Sequence, residues 1–513
     1  MTGPMRALPY HRPGRIAAAG AAVLYVGLML WYSRYHMLDD ALIHLRMAEL
    51  LIQHGFVTTD GHAATFATSS PLFLLLTAAL HVLIDGDFTT KITSVAAYLG
   101  LLAILAILIR RSAALERSLW IILALLTLSP MGIRWLTDGM ETSLSAIVAL
   151  SLGLAAIRGH SGRAWSTIWF VLLGIAAVGT RVEMILLVTL ASLAATVRGE
   201  RLAANALAAG GATGMLLLWA TFGTILPDPA LAKSVGAVMP AASLTGIATS
   251  FAGGMAFGVG LLALWLLGLA TAVQGRVARP LVIAVPNLAL LLFWCAIAAR
   301  GQYVQGIRHV LPPLVFMIAA NAALIGAADP RGLVARLLPS IGWRMPLTYA
   351  AAAVCGFAFM AELGKFEAIV ENRSAAFLEM RALDLAALEG TSGIAWDVGH
   401  LMYFTKAQVC DVSGLINGRE AARAPESERL DNCLKRDVEF LFVTPENAAE
   451  LIEKAGPRFA DWTVCGQYLF QNVSETAPHY LAVSPARAAE ICPQLRDQGT
   501  QSRGRLYQSV VAH

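Results

Sequence analysis

Met37-Leu38-Asp39-Asp40-Ala41-Leu42-Ile43-His44-Leu45-Arg46 follows an apolar run, Ile16 to Tyr32, that Arg6, Arg12 and Arg15 precede. A membrane-length apolar segment that ends on two adjacent carboxylates reads as an exit from hydrocarbon into an aqueous face. Asp39 fits an N-cap, and the helix it opens stops near Gly55. Leu42, Leu45, Leu50 and Ile52 suit a helix lying along the membrane surface. Arg46 follows Asp40 by six positions, about two helical turns, so carboxylates and guanidinium share one face. The plain alternative is an N-cap with solvated interface charges.

The rest of the chain agrees with a membrane setting. Of 513 residues, 57% are hydrophobic and 14% charged, against about 45–50% and roughly 25% in soluble domains. This excludes a soluble cytosolic enzyme, a disordered chain and a nucleic-acid binder. Segments 16–33, 91–109, 119–133, 143–157, 164–180, 184–197, 203–222, 245–270, 280–299, 309–326 and 345–362 read as eleven spans. The apolar run Pro71 to Ile84 is too short for one and reads as an interfacial or re-entrant helix.

Charge placement sets the orientation. With the N-terminus inside, the inside loops carry Arg110, Arg111 and Arg117; Arg158 and Arg163; Arg198 and Arg201; Arg276 and Arg279; and Arg331, Arg336 and Arg344. Every inside loop then has at least two arginines, as the positive-inside rule requires. A full span at 71–84 would invert that pattern. The outside face collects Asp39-Asp40, Asp138 with Glu141, Arg181 with Glu183, Pro227 to Lys233, and Arg300 to Arg308.

The expected fold is therefore an all-α polytopic membrane domain over residues 1–362, with juxtamembrane helices within 39–84. A soluble, exterior α/β domain follows over 363–513. Short β-like runs at Gly393–Trp396, Gln408–Cys410, Glu439–Val443, Gln467–Phe470 and Tyr480–Val483 alternate there with helical stretches at Glu446–Lys454 and Pro485–Ile491. Cys410, Cys433, Cys465 and Cys492 form two disulfides in one of three pairings, or stay as buried thiols.

A carboxylate at a membrane surface serves as general base toward an acceptor hydroxyl. A nearby Arg or Lys holds a phosphate and stabilises its departure. Together they describe glycosyl transfer from a polyprenyl-phosphate sugar. Asp39 and Asp40 are the candidate catalytic residues, and Arg46, Lys233 and Arg308 the candidate donor-phosphate ligands. Lys233 lies on an irregular outside loop, and Arg308 opens a span on the face where topology does not call for it. Asp138 and Glu141, three apart, share a helical face if helical; with Arg181, Glu183 and His309 they are candidate substrate contacts. Each has a structural alternative: acids favoured at a helix N-terminus, pairs between helices, a plain surface lysine. No His/Asp cluster has metal-ligand spacing, so no metal or other cofactor is assigned.

Asp39-Asp40-Ala41-Leu42-Ile43-His44-Leu45-Arg46, then Gly55 and Thr68-Ser69-Ser70-Pro71-Leu72-Phe73, resembles the GT-C superfamily of integral-membrane glycosyltransferases. Within it, the bacterial arabinofuranosyltransferase-like, lipid-phosphosugar-dependent branch is the most similar. Asp138-Gly139-Met140-Glu141-Thr142 resembles that branch's Gly-Met-Glu-Thr loop, and Thr180-Arg181-Val182-Glu183 its Arg-Pro-Glu segment. Phe222 to Asp228 with Lys233 resembles its Leu-Pro-Asn…Ala-Lys loop, and Gly306-Ile307-Arg308 to Pro312 its Arg-Phe…Pro segment. Asp397-Val398-Gly399, Tyr403 and Asp411 to Leu415 resemble its Asp-x-Gly…Tyr…Asp-x-x-Gly-Leu stretch. Arg300-Gly301-Gln302 departs from the branch's Gly-Gly-Asp, which makes Gln302 a candidate recognition group for a different sugar. The resemblance implies an inverting transferase on the exterior face of a bacterial inner membrane. Its partners would be a polyprenyl-monophosphate sugar donor, membrane lipids, and a glycan, lipid or protein acceptor. It also implies that the C-terminal domain caps the membrane cavity. The competing class is a multi-span transporter or lipid flippase, which predicts broken, charged segments in related positions of two halves; the sequence shows no such symmetry.

Overall fold

The structure is a computed structural model; it describes residues 13–61, 63–112, 115–157, 164–235, 306–320, 344–382, 385–471, 476–494 and 504–505. The candidate spans 245–270 and 280–299, and Gln302, lie outside the described residues.

Among the described residues two helices have the length and composition of a span, Thr89–Arg111 and Arg201–Phe222. A third arises if the pair Ser118–Leu128 and Pro130–Thr137, bent by 83°, is one unit. Gly20–Tyr32, Pro71–Ile84, Thr142–Ile157, Ala164–Thr180, Val182–Val197 and Leu311–Ala320 are shorter apolar helices. The segment 119–133, expected to be one span, is broken at Ser129-Pro130. Ser129 Oγ accepts from the Gly132 N–H and donates to Glu362. Pro130, lacking an N–H, opens the second helix. Helices Ala164–Thr180 and Arg201–Phe222 cross on small residues: a methyl on Gly174 would stand 2.6 Å from the Leu207 carbonyl oxygen.

The helix Asp39–His54 ends, as expected, at Gly55, whose φ of 78° suits glycine. Asp39 is not its N-cap. Leu38 occupies that position without a side-chain cap, and Asp39 is the first helical residue. The helix Pro71–Ile84 buries Phe73, Leu74, Thr77, Ala78 and His81 and exposes Leu75, Leu76, Val82 and Leu83. That apolar outer face is what a helix in contact with lipid presents.

A 39-residue helix, Arg344–Ala382, leads into a six-stranded sheet. The strands are β1 (Ser392–Ala395), β2 (Gln408–Asp411), β3 (Phe440–Val443), β4 (Thr463–Gln471), β5 (Thr476–Val483) and β6 (Gly504–Arg505), in the order β2-β1-β3-β5-β4-β6. β1 pairs in parallel with β2 and β3, and the remaining pairs are antiparallel. All five expected strands are present, and β6 is added. One apolar core joins this domain to the juxtamembrane helices: Ile43, Met47, Leu74 and Ala78 pack with Leu401, Phe440, Phe442 and Leu481.

Both disulfides form, Cys410–Cys433 and Cys465–Cys492, closing sequence separations of 23 and 27. Loops of this length stabilise by about 3 kcal/mol each in the chain-entropy account. Thiol labelling of unfolded, unreduced protein is therefore expected to leave Cys410, Cys433, Cys465 and Cys492 unlabelled. Labelling of all six would remove the disulfides.

Candidate functional site

Asp39 is held by the C-terminal domain. The N–H groups of Gly399 and His400 donate to its Oδ2 and Oδ1 at 2.8 Å each, and His400 Nδ1 lies 2.7 Å from Oδ1. Since a carboxylate only accepts, Nδ1 carries the proton. A methyl on Gly399 would overlap the Asp39 backbone carbonyl, so only glycine admits this approach. Burial pushes the Asp39 carboxyl up. The His400 hydrogen bond and charge, with the two amides, outweigh it and hold the carboxyl below its ordinary value.

With the folded value depressed, this contribution is present above the ordinary carboxylate value of about 3.9 and lost as pH falls through the lower folded one. The melting-temperature gap between wild type and Asp39→Ala is expected to hold constant from pH 7 to about 4 and to shrink below it. A gap that shrinks near pH 6 would point to another group.

Asp40 is the second residue of the same helix. Asp138 stands beside its start: the Leu38 N–H donates to the Asp138 backbone oxygen at 3.2 Å. Asp138 and Glu141 do not share a helical face. They lie in the turn between Pro130–Thr137 and Thr142–Ile157, where Gly139 has φ 90° and a methyl would stand 2.8 Å from Ala41 Cβ. Asp138 Oδ1 accepts from the Met140 N–H at 3.2 Å and its charge acts on Lys91 and Arg373, while Glu141 pairs with Arg181 at 3.1 Å, and Arg181 with Glu183 at 2.7 Å. Three expected substrate contacts thus form one ion triad, with Arg181 5% and Glu141 1% exposed.

Four residues not singled out in the sequence complete the surroundings. Arg373, on the Arg344–Ala382 helix, lies in the field of Asp39, Asp397, Asp40 and Asp138. Its Nε is buried without a hydrogen bond. Arg134 Nε donates to His36 Nε2 at 3.0 Å, and Lys91 Nζ to the His36 carbonyl at 3.0 Å. Burial, then Arg134 and Lys91, hold the His36 imidazole well below its ordinary value, so it is neutral. Four acids and three bases thus meet around the start of one helix. Lys91 and Arg134 carried a local signal, since each stands at the outside end of an expected span where topology does not call for a base, as Arg308 does; Arg373, in the polar stretch after the last expected span, carried none.

The expected phosphate ligands stand on three separate helices. Arg46 pairs with Glu49 at 2.9 Å, which also binds Lys406 Nζ at 2.6 Å. Lys233 lies on the helix Asp228–Val235, anchored where the Asp228 N–H meets the Phe66 carbonyl and Arg429 the Ala232 carbonyl. Arg308 and His309 open the helix Gly306–Ala320, whose residues 311–320 are buried. The side chains of Lys233, Arg308 and His309 lie outside the described residues. Among the described residues no three His, Cys, Asp or Glu are grouped to hold a metal.

Comparison with solved structures gives the architecture a precedent. The fold is similar to that of ArnT. The crystal structure of ArnT from Cupriavidus metallidurans bound to undecaprenyl phosphate matches with a TM-score of 0.55 at 13% identity, over 91% of this chain and 99% of that one. Its apo state matches at 0.53 and 14%, over 91% and 98%. No protein-family profile and no curated protein sequence matches the chain. The likeness to ArnT is thus one of fold, over nearly the whole chain.

Proposed function

We propose that the protein is a membrane glycosyltransferase that moves a sugar from a polyprenyl-monophosphate donor to an acceptor hydroxyl on a glycan, lipid or protein. The observation that carries this reading is the ArnT fold over nearly the whole chain, in a fold where ArnT itself holds undecaprenyl phosphate. The acid–base cluster supports it, because it stands where membrane helices end beneath the C-terminal domain. The GT-C resemblance of the Asp39–Arg46 stretch points the same way; an arabinose-type donor is its expectation.

Asp39 is committed to the C-terminal domain, so Asp40 is the general base of this reading. It takes the acceptor's proton as the oxygen attacks the anomeric carbon. The bond to phosphate breaks, and polyprenyl phosphate leaves with the electron pair, a single displacement that inverts the anomeric centre. Arg46, Lys233 and Arg308 hold the donor phosphate. Asp138, Glu141, Arg181, Glu183, Gln302 and His309 shape the sugar and acceptor pocket. The chain spans a bacterial inner membrane eleven times, with its N-terminus inside and residues 363–513 outside. Two disulfides fit that oxidising side.

The test is a transfer assay on purified full-length protein with a panel of polyprenyl-phosphate sugars and a membrane-derived acceptor extract, following release of polyprenyl phosphate. Release from one donor is the expected result. Release from none would favour the transporter reading.

A further inference from the structure

The cradle around Asp39 occupies a particular place in the sheet. β1 lies between β2 and β3, both parallel to it, so the chain leaves β1 for one neighbour and later returns to the other side. The carboxyl end of β1 is therefore a switch point, the position at which open sheets ordinarily admit a ligand. Here Asp39, 360 residues upstream of Gly399, fills it with its own carboxylate. The same helix, Gly399–Thr405, is fastened at two further points. Tyr403 OH donates to Asp87 at 2.9 Å, and Lys406, just past the helix, binds Glu49 at 2.6 Å. Arg381 adds a second bond to Asp87, at 2.7 Å. The C-terminal domain thus grips the first residue of the helix that carries Asp40. His400 is the only side chain in that grip on Asp39 among the described hydrogen bonds; the other two donors are backbone.

We propose that His400 is a positioning residue: by latching Asp39 onto the C-terminal domain it fixes the first turn of the Asp39–His54 helix, and with it the direction in which Asp40 addresses the acceptor. The kinetic part of this rests on the glycosyltransferase reading; the latch itself does not. Asp40 follows Asp39 by one residue, so a tilt of the first turn moves both. A misplacement of about 1 Å at a reacting group can cost on the order of a hundredfold in rate. In the reading Lys233 and Arg308 hold the donor phosphate from other helices, and Arg46 stands about two turns beyond the latched first turn, so loss of the latch falls mainly on kcat rather than on donor KM.

The experiment uses purified full-length protein with two readouts. In the transfer assay, His400→Ala is expected to lower kcat by about ten- to a hundredfold with donor KM within about threefold. His400→Asn, whose amide nitrogen stands where Nδ1 does, is expected to recover most of the loss. In hydrogen exchange, the peptide 397–405 is expected to exchange at least about tenfold faster in Asp39→Ala than in wild type. Wild-type kcat in His400→Ala, or no recovery in His400→Asn when both variants melt like wild type, overturns the positioning role. If no donor is consumed even by wild type, the transferase reading fails and exchange alone judges the latch. Faster exchange in Asp39→Ala then supports it, and unchanged exchange overturns it.

Discussion

Asp40→Asn is expected to lower kcat by about 10² to 10⁴, the span that a positioned general base contributes, with its larger effect on turnover rather than on melting temperature. The two adjacent carboxylates differ in what surrounds them. Asp39 accepts three hydrogen bonds from the C-terminal domain. A base engaged in this way takes a proton only by breaking them, and its depressed carboxyl value makes it a poor proton acceptor. Asp40 sits one residue further on, within the field of Arg373. Asp39→Asn should show the reverse profile, since Asn keeps one acceptor oxygen but loses the charge: a lowered melting temperature with part of the turnover retained. The measurement is kcat and thermal stability of both variants side by side. Turnover of Asp40→Asn within about threefold of wild type would move the base elsewhere.

The largest stability effect is expected at the ion triad. Arg181→Met leaves Glu141, 1% exposed, without its cation. Removing one partner of a buried pair costs about 3–5 kcal/mol, because the remaining charge stays desolvated. Glu183 side chain is 34% exposed and recovers water, so most of the cost belongs to Glu141. The double variant Arg181→Met with Glu141→Gln is then expected to regain much of the loss, since it removes the stranded charge. Thermal melts of the detergent-solubilised protein decide it. Equal melting of Arg181→Met and wild type would mean that Glu141 has other compensation.

What the sequence discloses here is local, and what it conceals is long-range. The five expected strands appear because β-branched and aromatic runs between turn residues reflect burial on a sheet. β6, only Gly504–Arg505, is too short to leave such a trace. Gly55 marks a helix end because a left-handed φ favours glycine wherever it occurs. Asp39 misleads as an N-cap because its side chain is drawn instead to amides 360 positions away. Ser129-Pro130 carried a legible break signal, an N-cap followed by proline, inside what hydropathy alone reads as one span. Asp138 and Glu141 separate because Gly139 turns the chain between them. The partners of the acidic cluster, His36, Lys91, Arg134 and Arg373, come from four elements, and no spacing rule links them.

The shared core between the juxtamembrane helices and the sheet also sets a timetable for biosynthesis. Helices Asp39–His54 and Pro71–Ile84 leave the ribosome early, yet the residues that cover Ile43, Met47 and Leu74 include Leu401, Phe440 and Leu481. At about 5–20 residues per second, the 360 residues separating Asp39 from Gly399 take roughly 20–70 s to make. Through that interval the two helices have only the bilayer surface to shelter their apolar faces. The last event of folding is then a long-range closure, in which the newest part of the chain docks onto the oldest. Ribosome-stalled chains that end before residue 440 should accordingly leave the segment 39–84 open to protease, whereas released chains should not.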